Sequence, residues 1–207
     1  LAAGAGVRAV LEPDGSTRFF AESDGELVLA EGRVEVRQVH GIAGDVSMDT
    51  GNVKVPGSVR VGGSVLSGFA VVADGNIAVQ EVVQAAVLGA GGSVEIGRGI
   101  KGEEKAVIRA RGSVTTGFAE QATISCGGDV RVRGACLFCR LTCNGRLVLE
   151  TDKGSVMGGV VRARQGIVAQ NLGSPGGART LVSFGQDYLL LERIERATRE
   201  IAKLRAR

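Results

Sequence analysis

A five-residue phrase returns along this chain at an almost fixed interval, and such a period restricts the fold more than any other feature could. It reads glycine, a small or polar residue, an aliphatic, any residue, then usually another aliphatic. Early copies are Gly44-Asp45-Val46-Ser47-Met48, Gly51-Asn52-Val53-Lys54-Val55 and Gly57-Ser58-Val59-Arg60-Val61. Later ones are Gly75-Asn76-Ile77-Ala78-Val79, Gly92-Ser93-Val94-Glu95-Ile96, Gly112-Ser113-Val114-Thr115-Thr116, Gly128-Asp129-Val130-Arg131-Val132 and Gly145-Arg146-Leu147-Val148-Leu149. From Gly75 to Gly145 the steps are 17, 20, 16 and 17 residues. A period of about 17 residues with small insertions describes stacked coils that accept extra residues at their corners.

Aligning the copies on that glycine exposes a second strand just upstream. Two residues before it stand Ala73, Ala90, Ala110, Cys126 and Cys143. Four before it are Val71, Leu88, Ile108, Ile124 and Leu141; six before it are Phe69, Ala86, Ala106, Ala122 and Cys139. The three columns share parity, so they point to one face of a strand, inward. The intervening Arg109, Ser125, Arg140 and Thr142 suit solvent. Equivalent residues then stack at about 4.8 Å, the inter-strand spacing, as ladders down a narrow tube. Alternation with glycine turns also fits a sandwich or barrel, but those folds rarely keep one side-chain column through consecutive copies. The expected architecture is all-β: a single-stranded parallel β-helix over residues 41–185, with a C-terminal α-helix.

Composition agrees. The chain has 33 Gly, 3 Pro, no Trp and 3% aromatics, yet is 44% hydrophobic, mostly small and β-branched. That is too apolar for disorder, and the glycines lack the three-residue period of collagen. Residues 1–40 precede the repeat and read as a hairpin-like segment or cap, with Asp14-Gly15 and Asp24-Gly25 as turn signals. From Gln186 to Arg207 glycine and proline vanish and the period moves from 2 to 3.6. Leu190, Ile194, Ala197, Ile201 and Leu204 follow alternating steps of four and three, the pattern of a coiled coil. Glu192 with Arg196 and Glu195 with Arg199 are favourable pairs one helical turn apart. The segment fits either a helix closing one end of the tube or a coiled-coil stem that stops in mid-course. The opening at Leu1, without a leader pattern, fits a fragment of a longer protein.

Ordered phrases carry a family resemblance. Gly51-Asn52-Val53, Val65-Leu66-Ser67-Gly68-Phe69, Ala90-Gly91-Gly92-Ser93-Val94, the Gly99-Ile100-Lys101-Gly102 corner and Gly158-Gly159 resemble the repeat region of the flagellar assembly protein A (FapA) family. Leu172-Gly173-Ser174-Pro175 with Thr180-Leu181-Val182-Ser183-Phe184-Gly185 is similar to that family's final coil. The likeness runs over roughly residues 26–207. It implies a right-handed parallel β-helix followed by a charged helical segment, in a bacterial cytoplasmic protein of flagellar assembly or placement with no established catalysis. Cys136, Cys139 and Cys143 depart from the family pattern.

Each candidate site has a competing structural reading. Cys136-x-x-Cys139-x-x-x-Cys143, with Cys126 one coil away, offers four thiolates for zinc or an iron–sulfur cluster. The spacing is not that of a known knuckle. Cys126 and Cys143 extend an alanine ladder, and Cys139 extends another, so packing outweighs metal binding. Gly97-Arg98-Gly99-Ile100-Lys101-Gly102 matches a dinucleotide fingerprint, but another ladder strand follows it where a helix N-terminus is needed. His40 is the only imidazole and stands before the repeats with no partner. Asp45, Asp49, Asp129 and Asp152 are turn-formers rather than a carboxylate cluster.

Catalytic residues, cofactors and a resident metal are therefore not expected. Four cysteines without a secretory leader favour a reducing, cytoplasmic setting. Lys and Arg are dispersed at a net charge of +3, unlike the basic face of a nucleic-acid binder, and no apolar run is long enough to span a membrane. The expected role is a non-enzymatic structural or adaptor protein with protein partners, open to self-association through residues 186–207. A self-polymerising scaffold like the bactofilins, or a β-helix enzyme or ligand-binding module, is the alternative.

Overall fold

The computed structural model describes residues 1–207 apart from Ser23, Asp24, Glu31, Gln38, Lys153, Ala206 and Arg207. Asp24 of the second expected turn thus lies outside the described residues. Two antiparallel pairs form the N-terminal segment, Val7–Leu11 with Thr17–Ala21 and Glu26–Ala30 with Arg33–Arg37. The first closes at Asp14-Gly15, where Ser16 donates its backbone N–H to Asp14 Oδ1 at 2.8 Å and Gly15 takes φ of +83°. Val7, Val34 and Val36, with Phe19 against them, make a small core separate from the rest.

From Val39 onward the chain is a parallel β-solenoid. Each coil contributes three extended segments. The first face is an eight-stranded parallel sheet running from Val39–Ile42 to Gly166–Val168. Its inward ladder reads Val59, Ile77, Val94, Val114, Val130, Leu147 and Ile167, each the register partner of the next. A second face is narrower, with Val46, Val65, Val83, Ile100, Ala119, Cys136 and Val156 stacked in turn. The third face carries the three expected columns. Val71, Leu88, Ile108, Ile124, Leu141 and Val161 are in register and fully buried. Ala73, Ala90, Ala110, Cys126, Cys143 and Ala163 stack beside them.

Two corner devices hold this geometry. Where each coil enters the first face, the residue after the motif glycine caps the same position of the next coil. The backbone N–H of Asn76 donates to Ser58 Oγ (3.0 Å), that of Ser93 to Asn76 Oδ1 (2.8 Å) and that of Ser113 to Ser93 Oγ (3.1 Å). The N–H of Asp129 donates to Ser113 Oγ (3.2 Å), and that of Arg146 to Asp129 Oδ1 (2.9 Å). The glycine itself makes room for this ladder. A Cβ on Gly92, Gly112 or Gly145 would collide with the capping atom of Asn76, Ser93 or Asp129 from the coil before. Between the second and third faces the backbone turns through the left-handed region at Gly68, Ala85, Gln121, Phe138 and Gly158. The longest step is absorbed at that corner, where Glu103 and Glu104 also have positive φ and register shifts between Lys101 and Ala106.

The terminal helix spans Tyr188–Arg205. It neither closes the end of the tube nor leaves it as a free stem, as sequence had suggested. It turns back beside the third face, near Ala90, Ala110 and Cys126 of earlier coils. Glu195 and Arg199 pair at 3.2 Å, while the side chains of Glu192 and Arg196 lie outside those described. Thr142 is a second departure: expected in solvent, it is 3% exposed, in the part of the sheet the helix overlies.

Two substitutions separate the two kinds of support. Leu141→Ala empties a fully buried ladder position and should cost about 2–5 kcal/mol. Ser113→Ala removes the acceptor of the Asp129 N–H and should cost about 1–3 kcal/mol. Urea unfolding followed by far-ultraviolet circular dichroism measures both, with the larger fall in midpoint expected for Leu141→Ala.

Candidate interaction site

The helix is set at a definite place by its first turn. Asp187 precedes it as N-cap, accepting the Leu190 backbone N–H at 2.9 Å. That bond is the main reason its carboxyl titrates below the ordinary range; burial opposes it, and a side-chain bond from Asn144 and the charge of Arg164 add to it. The Arg164 guanidinium lies 3.3 Å from the carboxylate, and Arg162 sits 5.9 Å from the centre of the Tyr188 ring. Tyr188 and Leu189 are half-buried against the solenoid.

Beyond that turn the apolar stripe is uncovered. Leu190 is 49% exposed, Ile194 53%, Ile201 51% and Leu204 71%, and Ala197 between them is exposed too. An aliphatic stripe left in water on a helix is the feature that makes this face the candidate interaction surface. No helix is long and apolar enough to cross a membrane among the described residues.

The cysteines lie inside the tube, at 0–1% exposure. Cys126 and Cys143 are register partners on the third face. Cys136, which sequence reasoning left without a structural role, stacks between Ala119 and Val156 on the second face. Cys139 is across the corner from it, its thiol donating to the Leu137 carbonyl at 3.3 Å. The four thiols thus form two pairs. Among the described residues no three potential ligands converge as a metal site would require. Within each pair, the hydrogen bond to the partner thiol and then burial push Cys126 and Cys136 well above the ordinary thiol range.

The remaining candidates are dispersed. His40 occupies the register position of Val59 in the first inward ladder, but at the mouth of the tube, where it is exposed. Gly97, Gly99 and Gly102 make close passages against Gln80, Phe118 and Gln121, and strand Gly99–Ala110 follows. Asp129 is a rung of the capping ladder and Asp45 does the same service, accepting the Ser64 N–H at 2.6 Å. Asp49 and Asp152 are exposed. Native thiols should therefore react with a disulfide reagent such as dithionitrobenzoate only as fast as the fold opens. Four equivalents should appear rapidly in denaturant, and fast release of any of them from folded protein would contradict the burial.

No curated protein matches the chain, and neither does any solved structure. The model of the flagellar assembly protein A beta solenoid domain matches residues 38–207, starting where the solenoid starts rather than at residue 26. On that match the chain belongs to the flagellar assembly protein A (FapA) β-solenoid family.

Proposed function

We propose that the chain is a non-enzymatic adaptor of flagellar assembly or placement in the bacterial cytoplasm. Residues 1–40 serve as a cap, 41–185 as a rigid rod and 186–207 as the arm that makes the protein–protein contact. The observation that carries this reading is the uncovered stripe of the terminal helix. It is supported by the fate of the chemically capable groups, since the thiols pack the interior and the carboxylates brace corners or stand apart.

The stripe favours a second copy of the same helix as its occupant. Ile194 and Ile201 fall at one core position of the heptad, and Leu190, Ala197 and Leu204 at the other. β-Branched residues at a with leucine at d favour parallel two-stranded pairing, and the alanine allows close approach at some loss of stability. Sedimentation equilibrium at tens of micromolar should show mass above the 21.3 kDa of one chain. Ile194→Glu with Ile201→Glu should return it to monomer with the solenoid's thermal midpoint unchanged. A wild-type monomer throughout that range would remove the second copy as occupant.

End-to-end polymerisation has its own supporting observation. The last strand, Thr180–Phe184, pairs only on its inner side among the described residues, with Leu181 44% and Phe184 70% exposed. If residues 1–40 cap the other end, deleting them should produce length-growing assemblies by light scattering. An unchanged mass would count against the capping role.

A further inference from the structure

Where the helix passes over the third face it leaves a cleft of about 360 Å³ whose lining is mostly arginine and hydroxyl. The floor is an outward ladder of Arg109, Ser125, Thr142 and Arg162, consecutive register partners across four coils. At about 4.8 Å per step, the two arginines stand about 14 Å apart with the two hydroxyls between them. The next outward column adds Thr123 and, one coil further, Arg140. Above the floor is the helix, which contributes Arg199 and its partner Glu195.

Four arginines thus face one carboxylate among the described lining residues. The Arg199–Glu195 pair is largely exposed, so it is weak and open to exchange. Arg109 and Arg140 take part in no ion pair among the described residues. Guanidinium and hydroxyl groups lining one partly closed cleft are the chemistry that recognises an oxyanion with several acceptor oxygens. A carboxylate presents two oxygens in one plane, whereas a phosphoryl group presents three around a tetrahedral centre and carries more charge. The hydroxyls of Thr123 and Ser125 and four guanidiniums line the space, more donors than the two oxygens of one carboxylate would use, and the volume suits a small molecule rather than a polypeptide.

We propose that this cleft binds a phosphate-bearing small molecule, with Arg109 and Arg140 as its principal charge partners and the hydroxyls of Thr123 and Ser125 as supplementary donors. The site is separate from the exposed stripe of the helix and does not depend on the adaptor reading. Titration calorimetry at low ionic strength, with inorganic pyrophosphate as probe, tests it on the full chain. Wild type should bind. Arg109→Ala with Arg140→Ala should weaken binding at least tenfold while leaving the thermal midpoint unchanged, since both side chains point outward. Arg60→Ala with Arg131→Ala, which removes two outward charges from the first face, should leave affinity within twofold. Absence of binding, or equal loss in the two double variants, would overturn the site. Equal or tighter binding of citrate would overturn the phosphoryl assignment.

Discussion

At the corner that opens the first face, the N–H groups of Asn76, Ser93, Ser113, Asp129 and Arg146 each bond to a side chain of the preceding coil. Donor and acceptor belong to the same repeat position, so the coils can only stack with that position in register. A slip of one residue would put an aliphatic where the acceptor belongs and turn every inward ladder outward. The glycine one residue earlier must lack a Cβ because the acceptor atom occupies that space. Insertions are consequently excluded from this corner. The extra residues of the longest coil instead lie at the left-handed corner, where the backbone bulges without breaking the ladder on either side.

The third face was legible from sequence because its strands alternate strictly and their inward columns, Phe69 apart, hold small or aliphatic residues. The second face was not. Its inward ladder takes one aliphatic, alanine or cysteine side chain per coil, Val65, Val83, Ile100, Ala119 or Cys136, and one position every 17 or so has no local period to detect. The left-handed corner was equally silent, since only Gly68 and Gly158 advertise it while Ala85, Gln121 and Phe138 adopt it under constraint from the coils above and below. Asp129 reads from sequence as a turn-former and the motif serines only as small polar residues; their partners are 16 to 20 residues away, beyond any local rule. Thr142 failed for a tertiary reason, the return of the helix over an otherwise solvent-facing column.

The same geometry limits where function can reside. Inward columns of alanine, cysteine, valine and isoleucine fill the tube, and the thiols that looked most like chemistry are spent on that packing. Side chains that could meet another molecule are therefore found on the outward columns, at the ends and on the helix.

Those outward columns are not equivalent. On the first face Arg60, Ala78, Glu95, Thr115, Arg131 and Val148 follow one another, a mixture in which charges of both signs are separated by neutral rungs. On the third face the corresponding stretch from Arg109 to Arg162 holds three arginines and three hydroxyl residues within four coils, with no acid among them. Like charges gathered on one face repel one another, and here Arg162 is also held over the Tyr188 ring. This is also the stretch that the helix overlies, and the helix brings a further arginine rather than a neutralising stripe of acids. A helix anchored by one turn at Asp187 carries its apolar stripe into solvent and brings Arg199, itself largely exposed, to the rim of the cleft. On the two proposals above, an apolar partner would cover the stripe and an anionic one would enter the cleft.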